Sequence, residues 1–224
     1  MQKQNEAGAD LLPSAAGDDL RLPENAALIV VDMQQAFSRD YWEHWGGPGG
    51  VRNNPEAEKV VGTLLGAWRA SARPVIHIKH DSVNPRSPLR PEHPGNAFSS
   101  EVLPQPGEPV YSKHVNSGFI GTTLEQDLRD RGIDTLVITG IQTNHCVSTT
   151  ARMAGNLGFN TYVVSDGTAT FDREGPDGVR YPADLMHATA LATLHDEFAT
   201  IVSSQALLHS AAAPATLSMG EPAR

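Results

Sequence analysis

The 224-residue sequence contains a single cysteine, Cys146. One cysteine excludes an internal disulfide framework and a metal site built from several thiolates. Long apolar runs are also missing, since no stretch approaches the roughly 18 apolar residues of a membrane-spanning helix. Residues 1–10 lack the apolar core of a secretory signal. We therefore expect a soluble, cytoplasmic protein that has no membrane partner.

Basic residues are scarce as well. The sequence has 17 Lys and Arg against 26 Asp and Glu, which gives a formal net charge of −9 at pH 7. Binding to nucleic acid or to an anionic membrane depends on clustered Lys and Arg. The charge balance therefore argues against a nucleic-acid partner and favours chemistry on a small molecule.

The length is that of one domain, at roughly 150 residues per domain, with room for a tail at each end. Residues 1–24 show little hydrophobic periodicity, and residues 210–224 are small and polar and include two prolines. Such composition is typical of chain ends outside the packed core. We expect a flexible lead at 1–24, one domain at 25–209 and a flexible tail at 210–224.

Within the domain, apolar runs alternate with helical patterns. The runs that predict strands are Ala27–Val31, Pro74–Lys79, Pro109–Ser112, Thr135–Thr139, Asn160–Ser165 and Thr200–Ser203. The segments that predict helices are Pro55–Ser71, 122–132, 146–153 and Ala183–Phe198. The second helix is expected to open with a capping box, Thr122-x-x-Glu125, and to end at Gly132. This alternation predicts a single-domain, three-layer α/β/α fold around a parallel sheet.

Two connections, Phe37–Asn54 and His80–Gly107, are long and rich in Gly, Pro, Ser and His. Loops of this length inside a compact domain are usually lids or binding loops. Aromatic residues of the first loop either line a substrate pocket or form a subunit contact. The residues that we expect at the pocket are Phe37, Tyr41, Trp42 and Phe119.

Three residues whose side chains are of catalytic types follow predicted strands: Asp32, Lys113 and Cys146. Taken singly, each has an ordinary structural explanation as a turn carboxylate, a surface lysine or a buried small apolar residue. In open α/β sheets, however, ligands bind beyond the carboxyl ends of the strands. A thiol at a helix start also lies near free backbone N–H groups, which favour a thiolate and are suited to binding an oxyanion. We therefore expect the three residues to form one site.

Three motifs carry a resemblance to a known family. Val30–Phe37 (VVDMQQAF), Lys113–Thr122 (KHVNSGFIGT) and Ile138–Arg152 (ITGIQTNHCVSTTAR) resemble the isochorismatase-like cysteine hydrolases and occur in that family's order. The superfamily includes nicotinamidases, N-carbamoylsarcosine amidases and streptothricin hydrolases. The resemblance extends over about Ala26–Leu208.

This resemblance implies a parallel sheet of order 3-2-1-4-5-6 and a catalytic triad of Asp32, Lys113 and Cys146. It also implies a cis peptide bond at Ile141–Gln142 and an oxyanion hole formed by the backbone N–H groups of Gln142 and Cys146. Members of the family form homo-oligomers, so we expect a dimer or a tetramer.

The chemistry that the resemblance implies is amide hydrolysis through a thioester. Lys113 is expected to lower the pKa of Cys146 and to stabilise its thiolate, which attacks an amide or ureido carbonyl. Asp32 is expected to carry the proton from the thiol to the leaving amine and then to activate water. Family members that cleave the vinyl ether of isochorismate commonly have another residue at the cysteine position. Cys146 therefore favours a small-molecule amide substrate, with no cofactor and no metal.

Two alternatives stay open. Nicotinamidases add a metal site of Asp-x-His plus a distal His, and the corresponding stretch here, His80–Val83, fails that pattern at Val83. His77, His80 and His93 are nonetheless dense, so they either bind a metal or belong to a polar strand face and a loop. The alternative functions are thus a metal-assisted nicotinamidase and a catalytically silent binding protein on the same fold.

Overall fold

The structure is a computed structural model, which describes residues 20–38 and 51–212. Two of the aromatic residues expected at the substrate pocket, Tyr41 and Trp42, lie outside these described residues. Most of the expected lead and tail, residues 1–24 and 210–224, also lies outside them.

The short described parts of the lead and the tail take part in the fold. Leu22 is buried in the same core cluster as Leu64 and Trp68. The last helix of the described chain reaches Ala212 and so crosses the expected boundary between domain and tail.

Six parallel strands form the central sheet. Their bounds are β1 Ala27–Val31, β2 Val75–His80, β3 Val110–Lys113, β4 Thr135–Ile141, β5 Asn160–Ala169 and β8 Thr200–Val202. They are ordered β3-β2-β1-β4-β5-β8. This order confirms the predicted one, because β8 is the sixth strand of the sheet along the chain. A separate antiparallel hairpin, β6 Arg173–Glu174 with β7 Arg180–Tyr181, intervenes between β5 and β8.

Helices cover both faces of the sheet and confirm the three-layer prediction. Their bounds are α1 Ala57–Ala70, α2 Leu124–Asp130, α3 Ser148–Asn156, α4 Ala183–Ala192 and α5 Ser204–Ala212. Single helical turns lie at Gln35–Phe37, Pro94–Asn96 and Ser100–Val102. Within the described chain, every helix is too short or too polar to span a bilayer.

The sequence of β1 shows why the sheet is buried on both sides. Leu28 and Val30 pack into the core cluster that includes α1 and α5. Ala27, Ile29 and Val31 pack into the opposite cluster, which includes α2, α3 and α4. A strand covered on both faces has a continuous apolar sequence rather than an alternating one.

Helix α1 is joined to the start of this strand by a buried side chain. The indole Nε1 of Trp68 donates a hydrogen bond of 3.0 Å to the carbonyl of Ala26. Because a buried indole N–H needs an acceptor, this contact satisfies Trp68 while its ring packs in the core. It sets the position of α1 relative to the residue that precedes β1.

Two details of the predicted helices are wrong. The Oγ1 of Thr122 donates to the carbonyl of Gly118 at 2.6 Å, and α2 begins two residues later at Leu124, so the capping box does not form. Helix α4 ends at Ala192, six residues before the predicted end at Phe198, and Asp196 in the following turn has a φ of 64°. The predicted end of α2 is confirmed, since Gly132 follows it with a φ of 63°.

Candidate active site

The ends of β1, β3 and β4 bring the three predicted residues to one edge of the sheet. Asp32 follows β1 directly, and its backbone N–H donates to the carbonyl of Ile78 in β2. Lys113 is the last residue of β3 and pairs in register with His80, the last residue of β2. Cys146 lies in the turn that follows β4. Parallel strands with aligned carboxyl ends therefore assemble the site, as expected for this class of sheet.

A close approach between β1 and β4 depends on glycine. Gly140 pairs with Val31 and has a φ of 128°, which L side chains rarely adopt. A Cβ at this position would lie 2.0 Å from the carbonyl oxygen of Val31. The backbone immediately before the cysteine turn therefore lies against the strand that carries Asp32, and only glycine permits it.

Asp32 and Lys113 form a fully buried ion pair. The Nζ of Lys113 donates to the Oδ2 of Asp32 at 2.7 Å, and neither side chain is exposed to solvent. Burial raises the pKa of Asp32, and the Lys113 ammonium opposes that rise. The other carboxylate oxygen, Oδ1, has no hydrogen-bond partner among the residues that the structure describes. This oxygen can therefore accept a further hydrogen bond.

Cys146 lies against this pair. One ligand atom each of Asp32, His80 and Cys146 lies within 4.8 Å of the others. Cys146 is buried, with 8% of the residue exposed, and its Sγ is 3.9 Å from the Oδ1 of Asn116, an exposed side chain on the segment that follows β3. The structure therefore brings the three predicted residues together.

The direction of the pKa shift at Cys146 is opposite to the one expected. Burial, together with the nearby Asp32 carboxylate, raises the pKa of Cys146 to about 12, and Lys113 offsets this only in part. The thiol also lies in a wide π-helical turn, Thr143–Val147, rather than in the first turn of α3. The raised pKa favours the neutral thiol at pH 7.

The backbone of this wide turn is anchored on several sides. The carbonyl of Gln142 accepts hydrogen bonds from the N–H groups of His145 at 3.0 Å and of Val147 at 3.2 Å. The Oγ1 of Thr143 lies 2.9 Å from the Nδ1 of His187 in α4. The peptide bond between Ile141 and Gln142 is cis. The turn is thus held in place on both sides of the thiol.

A second anchor of the turn comes from β5. The hydroxyl of Thr170, which follows that strand, donates to the Oδ1 of Asn144 at 2.5 Å. The backbone N–H of Thr170 in turn donates to the Oδ1 of Asn53 at 2.7 Å. The sequence analysis did not single out Asn144, Thr170 or His187, because each acts through a contact that only the folded chain makes.

His80 makes a contact that the sequence analysis did not predict. It was considered either as a metal ligand or as part of a polar strand face, whereas its Nδ1 lies 3.0 Å from the Nζ of Lys113. Burial and the Lys113 charge lower the pKa of His80 to about 4, so its imidazole is neutral near pH 7. A neutral ring nitrogen beside an ammonium is a hydrogen-bond acceptor.

The residues that would complete a nicotinamidase metal site do not fit one. The Nε2 of His77 pairs with the Oε2 of Glu108 at 2.9 Å, and the Nδ1 of His93 accepts from the N–H of Gly95. The carboxylate of Asp81 accepts from the Nδ2 of Asn96 at 2.9 Å. His77, His80 and His93 thus have separate partners. Val83, at the third position of the Asp-x-His pattern, is 77% exposed.

Two of the expected pocket residues are described, and both make ring contacts. Phe37 is buried and lies 6.4 Å, centroid to centroid, from Phe171. Phe119 is half-buried and stacks on Phe159 at 5.9 Å. Their role at a substrate pocket stays a prediction.

Comparison with known proteins agrees with the fold. The isochorismatase domain family matches residues 26–206. The isochorismatase family protein YrdC of Bacillus subtilis is 45% identical over 188 residues, which cover 84% of this chain and 97% of that protein. Streptothricin hydrolase of Streptomyces noursei is 33% identical over 193 residues, covering 84% and 72%. Ureidoacrylate amidohydrolase RutB of Stutzerimonas stutzeri is 34% identical over 171 residues, covering 63% and 68%.

A solved structure of the isochorismatase family also matches this chain. The crystal structure of an isochorismatase-family protein from Chromobacterium violaceum is 44% identical to this chain. It superimposes with a TM-score of 0.80 and covers 86% of this chain and 96% of its own. The chain therefore belongs to the isochorismatase family, and its relatives include proteins named streptothricin hydrolase and ureidoacrylate amidohydrolase.

Proposed function

We propose that the protein is a cysteine-dependent amidohydrolase that cleaves the C–N bond of a small amide, lactam or ureido substrate through a thioester acyl-enzyme. The observation that carries this proposal is the arrangement of a buried Asp32–Lys113 pair beside the Cys146 thiol, with one carboxylate oxygen unpaired. Relatives named streptothricin hydrolase and ureidoacrylate amidohydrolase support the reaction class.

The first step joins proton transfer to nucleophilic attack. Because the pKa of Cys146 is raised to about 12, the thiol must lose its proton as it reacts. The S–H proton moves to the Oδ1 of Asp32 while Sγ forms a bond to the substrate carbonyl carbon. The Lys113 ammonium, 2.7 Å from the other carboxylate oxygen, compensates the negative charge of the site.

The second step expels the amine. The carbonyl oxygen becomes an oxyanion, for which the N–H groups of Gln142 and Cys146 are the proposed donors. As the carbonyl re-forms, the C–N bond breaks and its electron pair goes to nitrogen. Protonated Asp32 then gives its proton to that nitrogen, which leaves as a neutral amine. The product on the protein is a thioester of Cys146.

The third step regenerates the enzyme. Asp32 is again a carboxylate and takes a proton from a water molecule that attacks the thioester carbonyl. The C–S bond breaks, and the sulfur recovers the proton from Asp32 as the carboxylic acid product leaves. One water is consumed for each C–N bond, and the ion pair returns to its starting state.

The experiment that tests this proposal is a mass-spectrometric trap. The protein is mixed with a pooled library of small amides, lactams and ureido compounds, quenched in acid and analysed as intact protein and as peptides. We expect a mass increase equal to the acyl part of one library member, located on Cys146.

Cys146→Ala is the matched control and should show no adduct with the same pool. Turnover of a library member by the Ala variant at the wild-type rate would contradict the thioester mechanism. Binding of library members without any turnover would instead support the catalytically silent alternative.

A further inference from the structure

His80 occupies a fixed place beside the ion pair. It is the last residue of β2, lies between the ends of β1 and β3, and pairs in register with Lys113. Its Nδ1 is 3.0 Å from the Nζ of Lys113, which also donates to the Oδ2 of Asp32. These two contacts therefore occupy two of the three N–H donors of the Lys113 ammonium.

The backbone of His80 is held by a side chain from the segment that follows β1. The Oε1 of Gln34 accepts from the N–H of His80 at 2.9 Å, and its Nε2 donates to the carbonyl of the same residue at 3.1 Å. The Nδ2 of Asn96 donates to that carbonyl as well, at 3.2 Å. Gln34 and Asn96 are both almost completely buried. Since Gln34 lies two residues after Asp32, the imidazole and the carboxylate share one rigid support.

Burial and the neighbouring charges keep the His80 imidazole neutral. Burial is the main cause that lowers the pKa of His80 to about 4, and the Lys113 ammonium and His114 add to it, while Asp81 opposes it. At neutral pH the Nδ1 therefore accepts the ammonium N–H, and the proton of the ring is on Nε2.

We propose that His80 is a positioning residue that orients the Lys113 ammonium and thereby keeps the Oδ1 of Asp32 free for the thiol proton. An ammonium without this second acceptor would turn toward both oxygens of the carboxylate. Asp32 would then be a weaker base, and the positive charge would lie farther from Cys146. The inference rests on the proposed function for its kinetic consequence, but the geometry it concerns does not depend on a substrate.

The test compares two substitutions that differ in one acceptor. His80→Leu removes it, whereas His80→Asn keeps an amide oxygen near the place of Nδ1. We expect His80→Leu to lower kcat by about 10-fold to 100-fold, the range for a hydrogen bond to a charged group, with KM little changed. His80→Asn should recover most of that loss. His209→Leu, an exposed histidine in α5, is the control and should behave as the wild type.

A second readout needs no substrate. The rate of Cys146 alkylation by iodoacetamide is measured from pH 6 to pH 10 for the same four proteins. We expect slower alkylation in His80→Leu at every pH, because the thiolate loses the nearby ammonium, and near wild-type rates in His80→Asn. Equal alkylation in wild type and His80→Leu would overturn the proposal, whether or not an amide substrate has been found. Equal losses in the Leu and Asn variants would also overturn it, since that result indicates a packing role.

The wild-type chain provides a measurement that is independent of variant folding. The ¹⁵N chemical shifts of the His80 ring at pH 7 report which nitrogen carries the proton. We expect an unprotonated Nδ1 and a protonated Nε2. A protonated Nδ1 would overturn the proposal, because it cannot accept a hydrogen bond from Lys113.

Discussion

The Nζ of Lys113 donates to only one oxygen of Asp32, at 2.7 Å, and the second oxygen stays unpaired within the described part of the chain. A buried carboxylate normally uses all of its acceptor capacity. Burial raises the pKa of Asp32, and the Lys113 ammonium opposes that rise. In the proposed mechanism one oxygen holds the cation and the other exchanges protons.

The first prediction concerns this proton exchange. Asp32→Asn keeps the shape of the side chain but cannot carry a proton to the leaving amine. We expect amide hydrolysis to fall by about 10²-fold to 10⁴-fold, the usual range for loss of general acid–base catalysis. An activated ester has a leaving group that needs no protonation, so its hydrolysis should fall less. Both rates are measured for wild type and variant.

The exposed Asp130 supplies the control for this comparison, because Asp130→Asn changes the same group on the surface of α2. Its two rates should match those of the wild type. Equal fractional losses on ester and amide in Asp32→Asn would mean that Asp32 is not the acid in amine expulsion.

The second prediction concerns the nucleophile. Cys146→Ala and Cys146→Ser should abolish amide turnover while the thermal melting temperature stays close to that of the wild type, since each substitution changes a single heavy atom of a small side chain. Activity is followed by product formation after exhaustive purification of the variant. More than a few per cent of the wild-type rate, with contamination excluded, would contradict thioester chemistry.

The third prediction uses the ion pair as a probe of stability. Lys113→Met leaves the Asp32 charge buried without its partner, which typically costs about 3–5 kcal/mol of folding free energy. In this variant the Lys113 ammonium no longer opposes the burial that raises the pKa of Asp32, so the folded pKa lies above the unfolded value of about 3.9. The destabilisation should therefore be small below pH 4 and grow as the pH rises through the folded pKa.

Urea unfolding of wild type and variant from pH 3.5 to pH 8 measures this dependence. Lys59→Met is the control, since that side chain is 79% exposed. A loss of stability in Lys113→Met that is the same at every pH would show that the carboxylate is not charged and buried as described.

The fourth prediction compares two glycines. Gly140→Ala would place a Cβ 2.0 Å from the Val31 carbonyl at a φ of 128°, and we expect the free energy of unfolding to fall by at least about 3 kcal/mol. Gly66 lies in α1 with open space around its Cα, so Gly66→Ala should raise that free energy by about 0.5–1 kcal/mol. Chemical denaturation of both variants is the measurement. A stable Gly140→Ala variant would mean that β1 and β4 separate more easily than the geometry indicates.

The fifth prediction concerns assembly. The family resemblance leads us to expect a homo-oligomer, and Val115 and Ile120 expose apolar side chains on the segment that follows β3. Sedimentation velocity at micromolar concentration should give a mass of at least twice the 24.0 kDa of one chain. A single 24.0 kDa species over the whole concentration range would contradict the expectation.

Local sequence predicted the sheet well where burial makes the pattern continuous, as in β1. It predicted the end of β5 less well, because Asp166 and Gly167 have the composition of a turn while the strand continues to Ala169. The reason is a distant contact: the Asp166 carboxylate accepts hydrogen bonds from the backbone N–H and hydroxyl of Ser204, at the start of α5. Ser204–Ala212 was not predicted as a helix for the same reason, since its cap comes from another strand.

The candidate site also combines features that the sequence predicted with features that it did not predict. Asp32, Lys113 and Cys146 were predictable because each follows an apolar strand and each belongs to a family motif. The raised pKa of Cys146 and the acceptor role of His80 were not, because both depend on burial and on the charges that neighbouring strands bring within a few ångströms. Sequence spacing carries no information on the depth of a side chain.

The raised pKa of Cys146 affects how fast its thiol reacts with oxidants. Peroxides and disulfides react with thiolates far faster than with thiols. A thiol that stays protonated at neutral pH therefore reacts slowly with such reagents. In the proposed mechanism the sulfur becomes reactive only when an electrophilic carbonyl is in place and Asp32 takes its proton, so the arrangement that would activate the nucleophile would also protect it between turnovers.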